Sequence, residues 1–278
     1  MWLWEPDCAQ SVQERRLVCL RKYDGRKLQR QRPTSVQHAI ANDPALIPGR
    51  AASWVRAIEA RYSTRARARR AALLTKHIKL RPDDIVLDLG GGAGDHFHSV
   101  FPDHKRVVVA DILEEHLNLA RQRYGYDTMQ LRDEDVTLPF SDKQFDVVFC
   151  SSVIQEITGP KSRIDRIMND ADFDKVARQH QWVFAGEIRR IAKKYYVQTP
   201  YKYFIIEPHS WLPGIIVFLP RHMLVRLLRF TNTTFWPTRS HPVWRLLTIG
   251  EFSKMFPDAT IEREWSFGFV KSLMAIKA

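Results

Sequence analysis

Four short apolar runs punctuate the chain at wide intervals: Ile85 to Leu89, Arg106 to Asp111, Phe145 to Cys150 and Tyr195 to Thr199. Each is a nearly continuous block of large apolar residues rather than an alternation, the pattern of a strand buried on both faces of a parallel sheet. Segments of helical period lie between them, at Leu113 to Tyr124 and at Lys175 to Lys194. Strands alternating with helices imply βαβ units and an α/β fold with helices on both faces of one sheet. The chain closes with a helix near Gly250 to Phe256 and two further strand-like runs, Ala259 to Phe267 and Val270 to Lys277.

The flanks of this core read differently. Residues 1–50 mix Arg, Lys and Gln with Pro33, Pro44, Pro48 and Gly49 and hold no sustained period, so a loosely ordered arm is expected. Residues 51–80 are rich in Ala, Leu and Arg and form a helical lead-in. The core domain then runs over 81–278, with an aromatic, proline-punctuated lid segment at 200–245 inserted after the fifth strand. Charge sharpens this division. The formal net charge is +12, yet residues 1–80 hold 17 Lys and Arg against 6 Asp and Glu, which leaves 26 against 25 for the remainder. A basic arm on a near-neutral globule suits contact with an acidic surface better than a nucleic-acid binder that is basic throughout.

Cys8, Cys19 and Cys150 are odd in number and contain no C-x-x-C pair, which argues against a disulfide framework and for a reducing compartment. The start of the chain lacks the basic and apolar regions of a secretory signal. The longest apolar stretch, Trp211 to Leu219, contains Pro213 and Gly214 and is too short to span a bilayer. The expectation is a cytoplasmic protein.

Candidate chemistry begins at Asp88-Leu89-Gly90-Gly91-Gly92-Ala93-Gly94-Asp95, directly after the first strand. Glycines at 90, 92 and 94 allow a tight turn that a ligand can approach closely, and the first amides of the helix that follows favour an anionic group. The dinucleotide fingerprint G-x-G-x-x-G fails at Asp95, and no Gly-Lys-Ser/Thr follows to make a P-loop. Asp111 ends the second strand about 20 residues on, where a carboxylate can accept both hydroxyls of a ribose; capping the helix from Leu113 is the other use of that side chain. Further on, Asp133-Glu134-Asp135-Val136-Thr137-Leu138-Pro139-Phe140 leads into the fourth strand.

These three motifs, in this order and spacing, resemble class I S-adenosylmethionine-dependent methyltransferases of the type 11 kind, over roughly residues 80–200. The resemblance implies a Rossmann-like seven-stranded sheet, parallel except for its last strand, with the two closing runs as its final hairpin. It implies S-adenosyl-L-methionine as cofactor, held by Asp88, Gly90, Gly92, Gly94, Asp111, Ile112, Ser151 and an acid that meets the adenine amino group. That acid falls on Glu134 by the family's spacing from Leu-Pro-Phe, with Asp135 and Asp133 as alternatives.

Methyl transfer from a sulfonium is an in-line displacement whose donor carries its own activation, so positioning the acceptor and removing its proton are the remaining tasks. After the fourth strand the chain reads Cys150-Ser151-Ser152-Val153-Ile154-Gln155-Glu156. It carries neither the Asn/Asp-Pro-Pro-aromatic motif of enzymes acting on base amino groups nor the Pro-Cys of pyrimidine C5 enzymes. Small-molecule, lipid or carbohydrate-linked acceptors are therefore expected. An RNA-binding methyltransferase using the basic arm is the alternative, though the arm lacks the interleaved aromatic and glycine motifs that stack bases. Glu156 stands where similar small-molecule methyltransferases often carry histidine.

The acceptor side is expected in the segment that leaves the carboxyl end of the fifth strand. Tyr196 to His209 resembles a bacterial subgroup loosely associated with envelope or polysaccharide biosynthesis. His209 is the candidate general base, since histidine titrates near neutrality, with Glu207 as its orienter or substitute; both are also placed to brace a proline-bounded loop. His96, His98 and His104 do not share a helix face, so no metal site is expected. Finally, Arg221 to Phe230 follows Pro220 and reads as a basic amphipathic helix, with His222, Arg226 and Arg229 on one face and Met223, Leu224, Leu227 and Leu228 on another. It suits a lid over the active site, or peripheral contact with an anionic membrane.

Overall fold

The computed structural model describes residues 68–133, 137–234, 236 and 238–278. The arm expected at 1–50 lies outside them, as does most of the lead-in at 51–80, of which residues 68–77 are helical (α1). The remaining helices are α2 (Asp95–Val100), α3 (Glu114–Tyr124), α4 (Lys161–Ile164), α5 (Asp170–Ile191), α6 (Arg221–Thr233) and α7 (Ile249–Met255). The strands are β1 (Val86–Leu89), β2 (Val107–Asp111), β3 (Asp127–Gln130), β4 (Phe145–Ser151), β5 (Ala192–Pro200), β6 (Thr260–Ser266) and β7 (Phe269–Lys277).

They form one seven-stranded sheet of order β3-β2-β1-β4-β5-β7-β6. β1 to β5 pair in parallel, while β7 runs antiparallel to both β5 and β6, so the expected closing hairpin is present. The chain builds outward through β2 and β3, then crosses to the other side of β1 to make β4. That reversal between β1 and β4 is the switch point at which open α/β sheets take their ligands, beyond the strands' carboxyl ends.

Burial on both faces explains the continuous apolar runs. Leu87, Leu89, Val148, Tyr195 and Val197 face a layer formed by α5 and α7, including Phe184, Ile188 and Phe252. Their neighbours Val86, Val109, Val147 and Tyr196 face α1, α2 and α3 through Leu74, Phe97 and Leu117. β3 was not among the runs singled out above because Asp127-Thr128-Met129-Gln130 is a short edge strand with no buried residue. The helix expected at Lys175 to Lys194 starts earlier and stops sooner. Asn169 caps it by accepting from the Asp172 amide, and Lys194 is drawn into the sheet opposite Val147 of β4. Pairing in the sheet overrides the helical propensity of the lysines.

The lid has a small core of its own, made of Leu212, Ile216, Leu228, Trp244 and Leu246. Two buried arginines fasten it to α5. Arg221 donates to the carbonyls of Ile164 (2.9 Å) and Ile167, its amide donates to Asp170, and its guanidinium lies 3.6 Å over the Phe173 ring. Burial lowers its pKa to about 10. Arg245 donates to Asp174 (2.6 Å), to Gln181 (3.0 Å) and to Glu251.

Candidate active site

The turn after β1 is built for backbone rather than side chains. Gly90, Gly92 and Gly94 all have positive φ, at 69°, 57° and 78°. At Gly92 a Cβ would meet only His116 Nδ1, at 3.6 Å, so this position opens into space. Gly91 is glycine for the opposite reason: a Cβ there would fall 2.1 Å from Asp88 Oδ2. The motif reading named the first three and passed over Gly91, whose constraint comes from the packed carboxyl below it.

Beyond the turn lies a cleft of about 330 Å3, within the size range of small-molecule sites. Gly90, Gly92, Asp111, Ile112, Asp133 and Glu156 are among its walls. Asp111 joins β2 to the turn, since its Oδ2 accepts from the Gly92 amide at 2.9 Å while Oδ1 accepts from the Leu113 amide at 3.0 Å. The second bond is a local turn contact and not a cap: the helix that follows has Leu113 as its N-cap, with no side chain capping it. Each oxygen keeps a further lone pair for a ligand hydroxyl. Beneath the turn, burial and the nearby Asp111 charge push the Asp88 carboxyl up to about 8, and its Oδ2 has no hydrogen-bond partner. A buried acceptor of this kind asks for a donor.

The other expected cofactor contacts divide. Glu134 and Asp135 lie outside the described residues. Asp133 is on the cleft wall and accepts from the Lys161 amide at 2.9 Å. Ser151 does not reach the cleft; its hydroxyl donates to Gln198, and the wall residue is Ser152. Ser152 has φ 61°, uncommon for a side chain other than glycine or asparagine, and is held there because its amide and hydroxyl both bond Gln198. Only the strand end at β4 hinted at it.

On the acceptor side, Glu207 is buried and fully engaged. Its Oε1 accepts from the His209 amide (2.9 Å) and from His209 Nδ1 (2.7 Å), and its Oε2 accepts from the Ser210 amide (2.7 Å) and hydroxyl. Burial alone would push this carboxyl up, but the bonds from His209 and Ser210 outweigh it and hold the group below its ordinary range. The His209 ring stacks on Trp244 at 5.2 Å and 9°. Neither His209 nor Glu207 lines the cleft; Glu156 does, and its Oε1 is 3.8 Å from His209 Nε2. Glu156, read in sequence as a departure from a family pattern, thus connects the cleft to the histidine. With Nδ1 engaged by Glu207, Nε2 is the ring nitrogen turned towards Glu156.

The three histidines near the turn part to separate partners. His98 Nδ1 is 2.9 Å from the Tyr126 hydroxyl, His104 Nε2 is 2.9 Å from the Asp84 carbonyl, and His96 meets Phe149 edge-on.

Residues 87–171 match a family described as a methyltransferase domain. The chain is 34% identical over 93 residues to the ubiquinone/menaquinone biosynthesis C-methyltransferase UbiE of Vibrio campbellii, covering 28% of this chain and 33% of that protein. It therefore spans about a third of the length of the curated relatives it matches. Among solved structures it is similar to a protein from Pyrococcus horikoshii (18% identity, TM-score 0.46, covering 77% of this chain and 89% of that one). It is also similar to an S-adenosylmethionine-dependent methyltransferase from Aquifex aeolicus (17%, TM-score 0.38, 69% and 80%). The glycine turn, Asp111 and the switch-point cleft all fall inside the matched segment or against it, so residues 87–171 carry a methyltransferase domain.

Proposed function

We propose that the protein transfers the methyl group of S-adenosylmethionine to a small acceptor held between the cleft and the lid. The observation that carries this reading is Asp111, which ends β2 at the cleft wall with both oxygens anchored to backbone amides and lone pairs to spare. A carboxylate fixed in this way is preorganised for a ribose diol. The cofactor fits the residues around it. Gly92 leaves room for close approach, Ile112 gives an apolar surface beside Asp111, and the Asp88 Oδ2 beneath the turn is a buried acceptor still without a partner.

The bound donor supplies an activated methyl group. The chain's own residues orient the acceptor, exclude water and take up its proton. Glu156 is the group on the cleft wall suited to receive that proton, and His209, held in one tautomer by Glu207, is placed to accept it in turn at Nε2. The likeness to a quinone C-methyltransferase supports a small, largely apolar acceptor, and the exposed apolar lid supports the lipid-linked class over a carbohydrate.

Titration calorimetry with S-adenosylmethionine and with its demethylated product tests the reading. Asp111→Ala removes charge-assisted bonds of roughly 1.5–3 kcal/mol each and should weaken binding at least tenfold. Unchanged affinity in a folded variant, or tighter binding of reduced nicotinamide dinucleotide than of the methyl donor, overturns it.

A further inference from the structure

The sequence places Met223 with Leu224, Leu227 and Leu228 on the packed face of α6, and the structure does not. Val225 and Leu228 are buried, Leu224 and Leu227 lie against the lid core, and Met223 stands out in solvent at 47% exposure. At 100° per residue, His222, Met223, Arg226, Arg229 and Phe230 fall within one arc about 120° wide. All five are exposed. The outer face of α6 is therefore neither polar nor apolar: Arg226 runs down its middle with Met223 and Phe230 beside it.

Phe230 is 66% exposed, and the turn that leads into this helix adds Phe218 at 68% and Ile215 at 73%. Phe218 stacks on Tyr203 at 5.6 Å and 9°, and Lys202 lies 5.6 Å over the Tyr203 ring. The turn, the helix and the start of the lid thus share exposed apolar groups with cations between them. The hairpin joining β6 and β7 brings more to the same edge of the sheet. Tyr201 donates its amide to the Lys271 carbonyl, and the hairpin tip beyond carries exposed Trp265 and Phe269.

Charge says what such a surface meets. Residues 201–245 contain six Lys and Arg and one acid, Glu207, which is buried and bonded within its own loop. Arg226, Arg229 and Arg239 are exposed and have no salt bridge among the described residues. Large exposed apolar groups interleaved with unpaired cations, with no acid to repel lipid headgroups, are the requirements of an interfacial segment. No helix among the described residues is long and apolar enough to cross a membrane, so contact would be at the surface.

We propose that the outer face of α6 and the Ile215–Phe218 turn dock on an anionic lipid bilayer, so that the lid draws its acceptor from the membrane surface. The proposal extends the methyltransferase reading by naming where the acceptor comes from, and its test does not depend on turnover.

The full chain is sedimented with phosphatidylcholine vesicles with and without phosphatidylglycerol, at low and high salt. Binding is expected only with the anionic vesicles at low salt, falling at least tenfold in a variant combining Arg226→Glu and Arg229→Glu. These are exposed side chains whose reversal spares the fold. A second variant, Phe218→Ser with Phe230→Ser, should leave a weak, salt-sensitive remnant. Absence of binding at low salt overturns the proposal, and so does undiminished binding of the arginine variant, which would assign the contact elsewhere. A dimer in solution that the arginine variant dissociates also overturns it and makes this face an interface between copies. Donor affinity measured on the same variants should be unchanged; its loss in the parent protein would instead refute the methyltransferase reading.

Discussion

The halves proposed to hold donor and acceptor are held together by different kinds of bond. Around the proposed donor cleft, contacts run between backbone and nearby side chains: the Gly92 and Leu113 amides on Asp111, and a turn in which Gly91 fits the carboxyl below it. The acceptor half is assembled at long range. Arg221 reaches back more than fifty residues to the Ile164 carbonyl, Arg245 spans 71 residues to Asp174, and Thr158 bonds the Val243 carbonyl. One half is a local turn on a sheet and the other a separate core clamped on by buried arginines.

The contrast extends to protons, where it should be largest. Asp88, in the donor half, has a folded pKa of about 8, far above the unfolded carboxylate range near 4. Its contribution to stability is fully present below that range and is lost as pH rises through about 8. Glu207, in the acceptor half, is lowered, so its contribution is present above the ordinary range and lost as pH falls through its native value. Thermal melts across pH should show Asp88→Asn flattening the alkaline limb, with a gain over the parent that widens from about pH 5 to 8. Glu207→Gln should flatten the acid limb instead. A single limb moved by both variants would show that the halves unfold as one unit with shared titration.

Next in size is the clamp. Arg245→Ala removes the buried donor to Gln181 Oε1 and the close one to Glu251 Oε1 and should cost about 3 kcal/mol; the half-exposed Asp174 adds little to that. The melt should fall by several degrees while donor affinity stays within twofold. If donor affinity falls as far as stability does, the two halves are not separable.

Gly92→Val sharpens the comparison from the other side. The branched side chain enters a position with φ 57° and points into open cleft, where only His116 stands nearby. Donor affinity should drop about a hundredfold, with secondary structure retained by circular dichroism. Gly91→Val should damage the fold itself, because its Cβ lands on Asp88. Normal donor binding by Gly92→Val would reduce the turn to a structural one.

This division explains what was legible in the sequence. The four central strands, the closing hairpin, the turn and Asp111 announce themselves through adjacent residues. The count of seven strands with an antiparallel last one followed from a family likeness and not from periodicity, and β3 was passed over because an exposed edge needs no apolar run. In the acceptor half, Glu207 and His209 were found as a loop pair, but their link to the cleft through Glu156 crosses 53 residues of chain. Nothing local marks such a contact. Ser152 was missed by one position, because a strand's end does not reveal which of two serines turns inward. Met223 was misassigned because helical spacing groups residues by angle, while the packing of Val225 and Leu228 decides which angle faces the core.

The smallest effect, and the one that joins the halves, concerns Glu156. Because the donor brings its own activation, the base has only a proton to remove, and its loss should cost about tenfold in kcat, below the usual range for general bases. Glu156→Gln keeps the side chain's size and removes its charge. Donor affinity should be unchanged, since the base acts on the acceptor. His209→Gln should lower kcat by a similar factor, because Nε2 no longer stands behind the carboxylate. The double variant then discriminates: a relay predicts a combined loss close to that of either single change, whereas two independent groups predict the product. Multiplied losses would return His209 and Glu207 to bracing the loop and leave Glu156 to act alone.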